Sequence, residues 1–217
     1  MAALTHHLSV DERTTASRFH FAADRERYIL TRGLLRAILQ RYTGSAPELL
    51  TFTYSAHGKP ALAAPAKLTD GCPIYFNLSH AHEVAIYAIS RDHELGIDIE
   101  RIRTDIEYEQ IARRVFSPFE RATLFALPPH ERAKAFFRCW TMKEAYIKGH
   151  GDGLSMPLDN FDTAFAPGTS PAILATRPDA TQAERWTIVR LNPGPQYTAA
   201  LAVDGHIAKL SCWHIEP

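Results

Sequence analysis

The sequence predicts an α+β fold built in two parts of similar layout, on three observations. Helical periodicity is confined to a few long segments, and short apolar runs bounded by turn residues lie between them. The order helix-then-strands is also run through twice along the 217 residues. With 46% apolar side chains, the chain can bury one large core or two small ones packed together. We place the division between residues 1–104 and 105–217. The repetition is one of pattern, not of letters.

Each element has its own signal. Met1 to Thr15 has no apolar stretch behind a basic flank, and His6 and His7 read as part of a polar terminus with no metal role, because adjacent side chains cannot share one helix face. From Ala22 to Tyr42, Tyr28, Leu35, Ile38 and Leu39 fall near one face with arginines mostly opposite, which predicts an amphipathic helix stopped at Gly44. Strands are predicted at Leu49–Tyr54, Ile74–Leu78, Val84–Ile89 and Leu95–Ile102. Turns are expected between them at Gly58-Lys59-Pro60, Ser79-His80 and Arg91-Asp92. Helices follow at Ile106–Val115, Phe119–Leu127 and Glu131–Lys148, then strands near Phe161–Phe165, Trp186–Leu191, Thr198–Val203 and Ala208–His214. Gly149 to Leu154 is rich in glycine but follows a helix instead of preceding one, and reads as a helix stop.

Composition excludes several classes of function. Twenty-four Lys and Arg balance 24 Asp and Glu, so no general attraction to nucleic acid or to an anionic membrane is expected. Cys72, Cys139 and Cys212 are odd in number and far apart, and are expected to be small core residues in a reducing cytosol. No run approaches the ~18 to 20 apolar residues that span a bilayer, and a cytoplasmic protein is expected.

Three clusters carry chemistry. In Gly96-Ile97-Asp98-Ile99-Glu100, strand alternation turns Ile97 and Ile99 one way and the two carboxylates the other, roughly 7 Å apart. Their repulsion is about 0.6 kcal/mol in water and about 2.4 kcal/mol at an effective dielectric of 20, so a sheltered pair needs a cation while an exposed pair does not. In Trp140-Thr141-Met142-Lys143-Glu144-Ala145-Tyr146-Ile147-Lys148, Glu144 and Lys148 share a helix face. They read either as a surface salt bridge or as an oxygen ligand beside an ammonium for phosphate. Phe76-Asn77-Leu78-Ser79-His80 offers a hydroxyl and an imidazole to phosphate, and Lys59 sits in a turn. His80 and His82 have no third His or Cys nearby, which argues against zinc.

Four ordered blocks, Gly58–Pro60 (GKP), Phe76–His80 (FNLSH), Gly96–Arg103 (GIDIERIR) and Phe136–Phe161, together resemble the surfactin-type (Sfp-type) 4′-phosphopantetheinyl transferases, with weaker similarity from Arg18 through Arg36. The resemblance implies two pseudo-twofold-related α/β halves, each a long helix packed on a small antiparallel sheet, with coenzyme A in the cleft between them. It implies that Asp98, Glu100 and Glu144 hold Mg²⁺ against the pyrophosphate of coenzyme A, that Lys148 contacts that pyrophosphate, and that Arg27, Lys59, Ser79 and His80 help hold the nucleotide. Glu144 and Lys148 are then the catalytic pair. Where the family carries basic residues before its first helix, this chain has Asp11-Glu12-Arg13-Thr14-Thr15, which leaves Arg13 and Arg18 as candidates for the 3′-phosphate. The implied partner is an apo acyl carrier or peptidyl carrier protein of fatty-acid, polyketide or peptide synthesis, docking near Arg113, Arg114 and Phe116. At this length the resemblance is to the branch with both halves in one chain, which implies a monomer. A Mg²⁺-dependent phosphohydrolase and a non-catalytic coenzyme A or carrier-binding module stand as alternatives.

Overall fold

A computed structural model describes residues 2–63, 72–151 and 153–215. The chain is α+β with small antiparallel sheets, and it divides into two compact units, Met1–Phe76 with Ile89–Asp92 and Asn77–Ala88 with His93–Pro217. Among the described residues, no helix is long and apolar enough to cross a membrane.

The first unit opens with α1 (Ala2–His7) and α2 (Val10–Ser17), followed by the 22-residue α3 (Ala22–Thr43). As expected, α3 stops where Gly44 adopts φ 69° and donates its N–H to the Gln40 carbonyl at 2.8 Å. The expectation of a polar terminus is corrected, because Leu8, Glu12 and Ala16 are buried. The reason lies in α3: Arg36 is also buried, and its Nε meets a Glu12 carboxylate oxygen at 2.5 Å. Its other end donates to the carbonyls of Pro47 and Leu50 at 2.6 and 2.8 Å, tying down the 3₁₀ turn Pro47–Leu49. Gly33 has a packing reason, since a Cβ there would lie 2.8 Å from the Leu4 carbonyl oxygen. Next comes a hairpin, β1 (Phe52–Tyr54) and β2 (Pro60–Leu62), turned at Gly58 with φ 82°. The expected turn at 58–60 thus ends one residue earlier, and Pro60 occupies the first position of a strand, where a missing donor is tolerated.

The hairpin of β3 (Tyr75–Ala81) and β4 (Val84–Ser90) corrects a second expectation. Ser79 and His80 are strand residues, and the turn lies beyond them, where His82 takes φ 57°. The second unit is centred on a three-stranded antiparallel sheet, β5 (Leu95–Arg101), β9 (Tyr197–Asp204) and β8 (Trp186–Leu191), in the order β5-β9-β8. Between β5 and β8 in sequence run α4 (Tyr108–Val115), α5 (Pro118–Ala126), the 22-residue α6 (Pro129–His150), the pair β6 (Phe161–Thr163) and β7 (Ile173–Thr176), and short α7 (Gln182–Arg185). Gly151, at φ 84°, ends α6 as the glycine-rich stretch predicted.

Strand alternation sorts the sheet. Leu95, Ile97, Leu201 and Val203 bury one face with Ile86 and Ala88 of β4, whereas Ala200, Ala202 and Ile188 join the aromatic core beneath α6. That core stacks Phe116 on Phe136 at 5.2 Å. It also contains an ion pair with both side chains fully buried, Lys143 Nζ to a Glu120 carboxylate oxygen at 2.8 Å. Lys143 donates to the carbonyls of Leu158 and Phe161, while Glu120 accepts from the N–H and hydroxyl of Thr163. Every charge-bearing atom is thereby matched, the condition for tolerating such a pair.

Two further expectations fail. Residues 208–214 form no strand, and Leu210 and Trp213 are exposed. Cys139 is buried as expected, but Cys212 is exposed along the same stretch.

Candidate active site

Glycine decides how closely α6 approaches β5. A Cβ on Gly96 would stand 2.1 Å from both the Ala145 carbonyl oxygen and the Gly149 amide nitrogen. A Cβ on Gly149 would in turn stand 2.5 Å from the Trp186 ring. Backbone therefore lies almost directly on backbone. Because Gly96, Asp98 and Glu100 alternate on one side of β5, this approach brings the two acids toward the helix that carries Glu144 and Lys148.

The contacts follow. Lys148 Nζ lies 2.7 Å from Asp98 Oδ1 and 3.1 Å from Ser79 Oγ, and the Ser79 hydroxyl donates to the same Oδ1 at 2.9 Å. Asp98 is only 4% exposed, and its Oδ2 is buried with no hydrogen-bond partner among the described residues. The strand carrying Ser79 is held by side chains: Asn77 Oδ1 accepts the Ile97 N–H at 2.9 Å, and the Ile99 N–H points to Ser79 Oγ at 3.4 Å. Asn77 and Ser79, two apart on β3, thus answer two successive same-side donors of β5.

The electrostatics are those of acids drawn together out of water. Burial raises the pKa of Asp98 despite the opposing Lys148 ammonium and Ser79 hydroxyl. Burial also raises Glu100, reinforced by the charge of Asp98 and more weakly by Glu144, against the pull of Arg103 and Lys148. Glu144 is raised by burial and by Asp98, with Lys148 opposing. Each shift reports first a carboxylate withdrawn from water, which its cationic neighbours only partly offset.

The donor set has the chemistry a hard divalent cation takes: oxygen only, three acids within electrostatic reach, and one buried oxygen left unsatisfied. Among the described residues, no group of three or more His, Cys, Asp or Glu is placed so that it could hold a metal ion by itself. Mg²⁺ does not require one, since it is usually bound by one or two carboxylates together with substrate phosphates and water.

Of the residues singled out from sequence, the second unit brings together Ser79, Asp98, Glu100, Glu144 and Lys148. His80 is exposed, and strand alternation turns it away from Ser79. Arg27 and Lys59 belong to the first unit, Arg27 as an exposed α3 residue 3.5 Å from Asp24 and Lys59 before β2. Arg13 donates to the Leu8 carbonyl, and Arg18 follows α2. Arg113 and Arg114 are exposed on α4, with Arg113 over the Phe125 ring at 4.3 Å. The docking role expected of Phe116 is corrected, because that ring is 1% exposed inside the core. Asn77, Gly96 and Gly149 had no assigned role; their signal was a small or amide side chain one or two residues from each named acid, base or hydroxyl.

Comparison with known proteins gives the family. The family described as "4'-phosphopantetheinyl transferase superfamily" matches residues 94–202, and "4'-phosphopantetheinyl transferase, N-terminal" matches residues 1–92. The chain is 38% identical over 207 residues to the 4'-phosphopantetheinyl transferase HetI of Nostoc sp., covering 95% of this chain and 83% of that protein. It is 34% identical over 154 residues to the 4'-phosphopantetheinyl transferase Sfp of Bacillus subtilis, covering 71% and 65%. The crystal structure of Thermotoga maritima holo-[acyl-carrier-protein] synthase overlaps 52% of this chain and 62% of its own, at 18% identity and a TM-score of 0.43. On the extent of the family and relative matches, the chain belongs to the 4′-phosphopantetheinyl transferase superfamily.

Proposed function

We propose that the protein transfers the 4′-phosphopantetheine arm of coenzyme A to a serine of an apo acyl carrier or peptidyl carrier protein, with Mg²⁺ as cofactor. The observation that carries this reading is that Asp98, Glu100, Glu144 and Lys148 lie within electrostatic reach of one another, with Asp98 buried and bonded to Lys148, in a chain of this family. The serine oxygen forms a bond to the β-phosphorus of coenzyme A. The bond from that phosphorus to the bridging oxygen breaks, and 3′,5′-ADP leaves with the electron pair.

Asp98, Glu100 and Glu144 would hold the metal, which when bound neutralises charge on the pyrophosphate. The Lys148 ammonium stabilises the departing phosphate oxygen. Glu144 takes the serine proton, directly or through a water. Arg27, Lys59 and His80 are assigned to the nucleotide end of coenzyme A. A carrier that is acidic around its serine would be steered by Arg113 and Arg114, which are exposed as that role demands. Because one compact unit supplies all three acids and the ammonium, a monomer is a sufficient enzyme.

Incubation with coenzyme A, Mg²⁺ and an apo carrier, followed by mass spectrometry of the carrier, tests the reading. Transfer adds the arm to the carrier; release of the arm to water would indicate a hydrolase, and no change a binding module. Glu144→Gln is expected to abolish transfer while coenzyme A still binds, and wild-type turnover in that variant rejects its role as base.

A further inference from the structure

Lys148 already neutralises the carboxylate that a metal would use. Asp98 Oδ1 receives both the ammonium, at 2.7 Å, and the Ser79 hydroxyl, at 2.9 Å, and Ser79 Oγ holds the same ammonium at 3.1 Å. Three groups thus close on one another, while Asp98 Oδ2 stays buried and unpartnered. The two ends of the pair differ in freedom. Asp98 is fixed in the middle of a paired strand opposite Ala200, whereas the Lys148 side chain is 31% exposed at the end of a helix and has open solvent to turn into.

We infer that Lys148 and Ser79 form a latch on Asp98, so that the site admits a divalent cation together with a pyrophosphate-bearing ligand and resists the cation alone. A lone cation at Asp98 Oδ2 shares its carboxylate with the ammonium on Oδ1, and can close on both oxygens only by breaking the ammonium's bonds to Asp98 and Ser79 with no anion supplied in return. A cation arriving with a pyrophosphate brings the anion that the released ammonium needs, and the exchange leaves no charge unmatched. Metal and coenzyme A then bind with positive coupling, and by linkage each raises the affinity for the other by the same factor. The inference rests on the metal reading of the preceding subsection.

The test uses Mn²⁺, followed by its electron paramagnetic resonance signal, on the full-length protein without coenzyme A. Lys148→Met should bind Mn²⁺ about tenfold tighter than wild type or better, the scale of a hydrogen-bonded charged contact removed. Ser79→Ala, which loosens the ammonium without deleting it, should tighten binding by a smaller factor, about threefold. Arg103→Met is the control: it removes a positive charge that acts on Glu100 but has no bond to Asp98, and should change Mn²⁺ affinity less than about threefold. In wild type, coenzyme A should raise Mn²⁺ affinity by about tenfold or more, and in Lys148→Met by clearly less. Thermal melts of each variant verify folding. Unchanged or weaker Mn²⁺ binding in Lys148→Met, when the wild-type protein itself modifies the carrier, overturns the latch alone. Equal tightening in Arg103→Met also overturns it, since long-range charge would then be sufficient. Failure of wild type to retain Mn²⁺ even with coenzyme A overturns the metal reading and the latch with it.

Discussion

Replacing Gly96 by alanine puts one methyl group where the structure has room for none. The new Cβ would meet the Ala145 carbonyl oxygen and the Gly149 nitrogen at 2.1 Å and the Lys148 carbonyl carbon at 2.7 Å, all of them backbone atoms. Ordinary contact begins near 3.4 Å, so β5 and α6 must part by about 1.3 Å. Overpacking of this kind typically costs about 1 to 3 kcal/mol, and here the upper end applies because neither neighbour is a movable side chain. For a protein of this size that is a fall in melting temperature of roughly 6 to 12 °C. The same displacement carries Lys148 Nζ from 2.7 Å to about 4 Å from Asp98 Oδ1, beyond hydrogen-bonding range. A misplacement of about 1 Å at a reacting centre costs on the order of 10²-fold in rate. Calorimetric melting and kcat/KM for carrier modification read the two effects separately. Gly149→Ala meets the Trp186 ring, a side chain with some freedom to shift, and should be milder on both. A Gly96→Ala protein that melts within about a degree of wild type and turns over at its rate would refute the close-approach reasoning.

Three other perturbations address different layers of the structure. Lys143→Met strands the fully buried Glu120 carboxylate and should cost about 3 to 5 kcal/mol in urea unfolding; a loss below about 1 kcal/mol would mean that the pair is dispensable. Asp98→Asn should raise the melting temperature in chelator-treated buffer at neutral pH. Burial lifts the folded pKa of Asp98 above its unfolded value, so the penalty is fully present above the folded pKa and relieved as pH falls through it toward 3.8. The variant's advantage should therefore shrink on acidification, and a gap that widens instead contradicts the sign. Charge reversal at Arg113 and Arg114 should raise KM for the carrier at low salt and matter less as salt is added, whereas an unchanged KM moves the docking surface elsewhere.

Long helices and their stops were legible from local pattern alone. α3 and α6, 22 residues each, end at glycines in the left-handed conformation. What escaped was structure decided by distant partners. The first two helices were invisible because their buried anchor is an acid, Glu12, which reads as solvent-facing until Arg36 is found 24 positions away. The Ser79-His80 pair looked like a turn because polar residues usually mark one, whereas Ser79 is buried against Asp98 and Lys148. The opposite error occurred at 208–214, where alternating apolar residues suggested a strand that finds no neighbour to pair with among the described residues.

The candidate site divides along the same line. Strand alternation places Asp98 and Glu100 on one side, and helical spacing places Glu144 and Lys148 on one face, so each pair was readable within its own segment. Their meeting was not, since it depends on β5 pairing with β9, about a hundred residues away, and on α6 lying across β5 at Gly96. One of the two readings of Lys148 was a surface salt bridge with Glu144 on its own helix. The hydrogen-bonded partner is Asp98 across the contact, because the glycine pair brings the strand within reach and Asp98, being the more buried acid, has the greater need of a cation. The glycines in the GIDIE and IKG segments are therefore part of the site as well as its acids: position 148 reaches the carboxylate at position 98 because position 96 carries no side chain between strand and helix backbone, and the absence of one at 149 leaves room for the Trp186 ring.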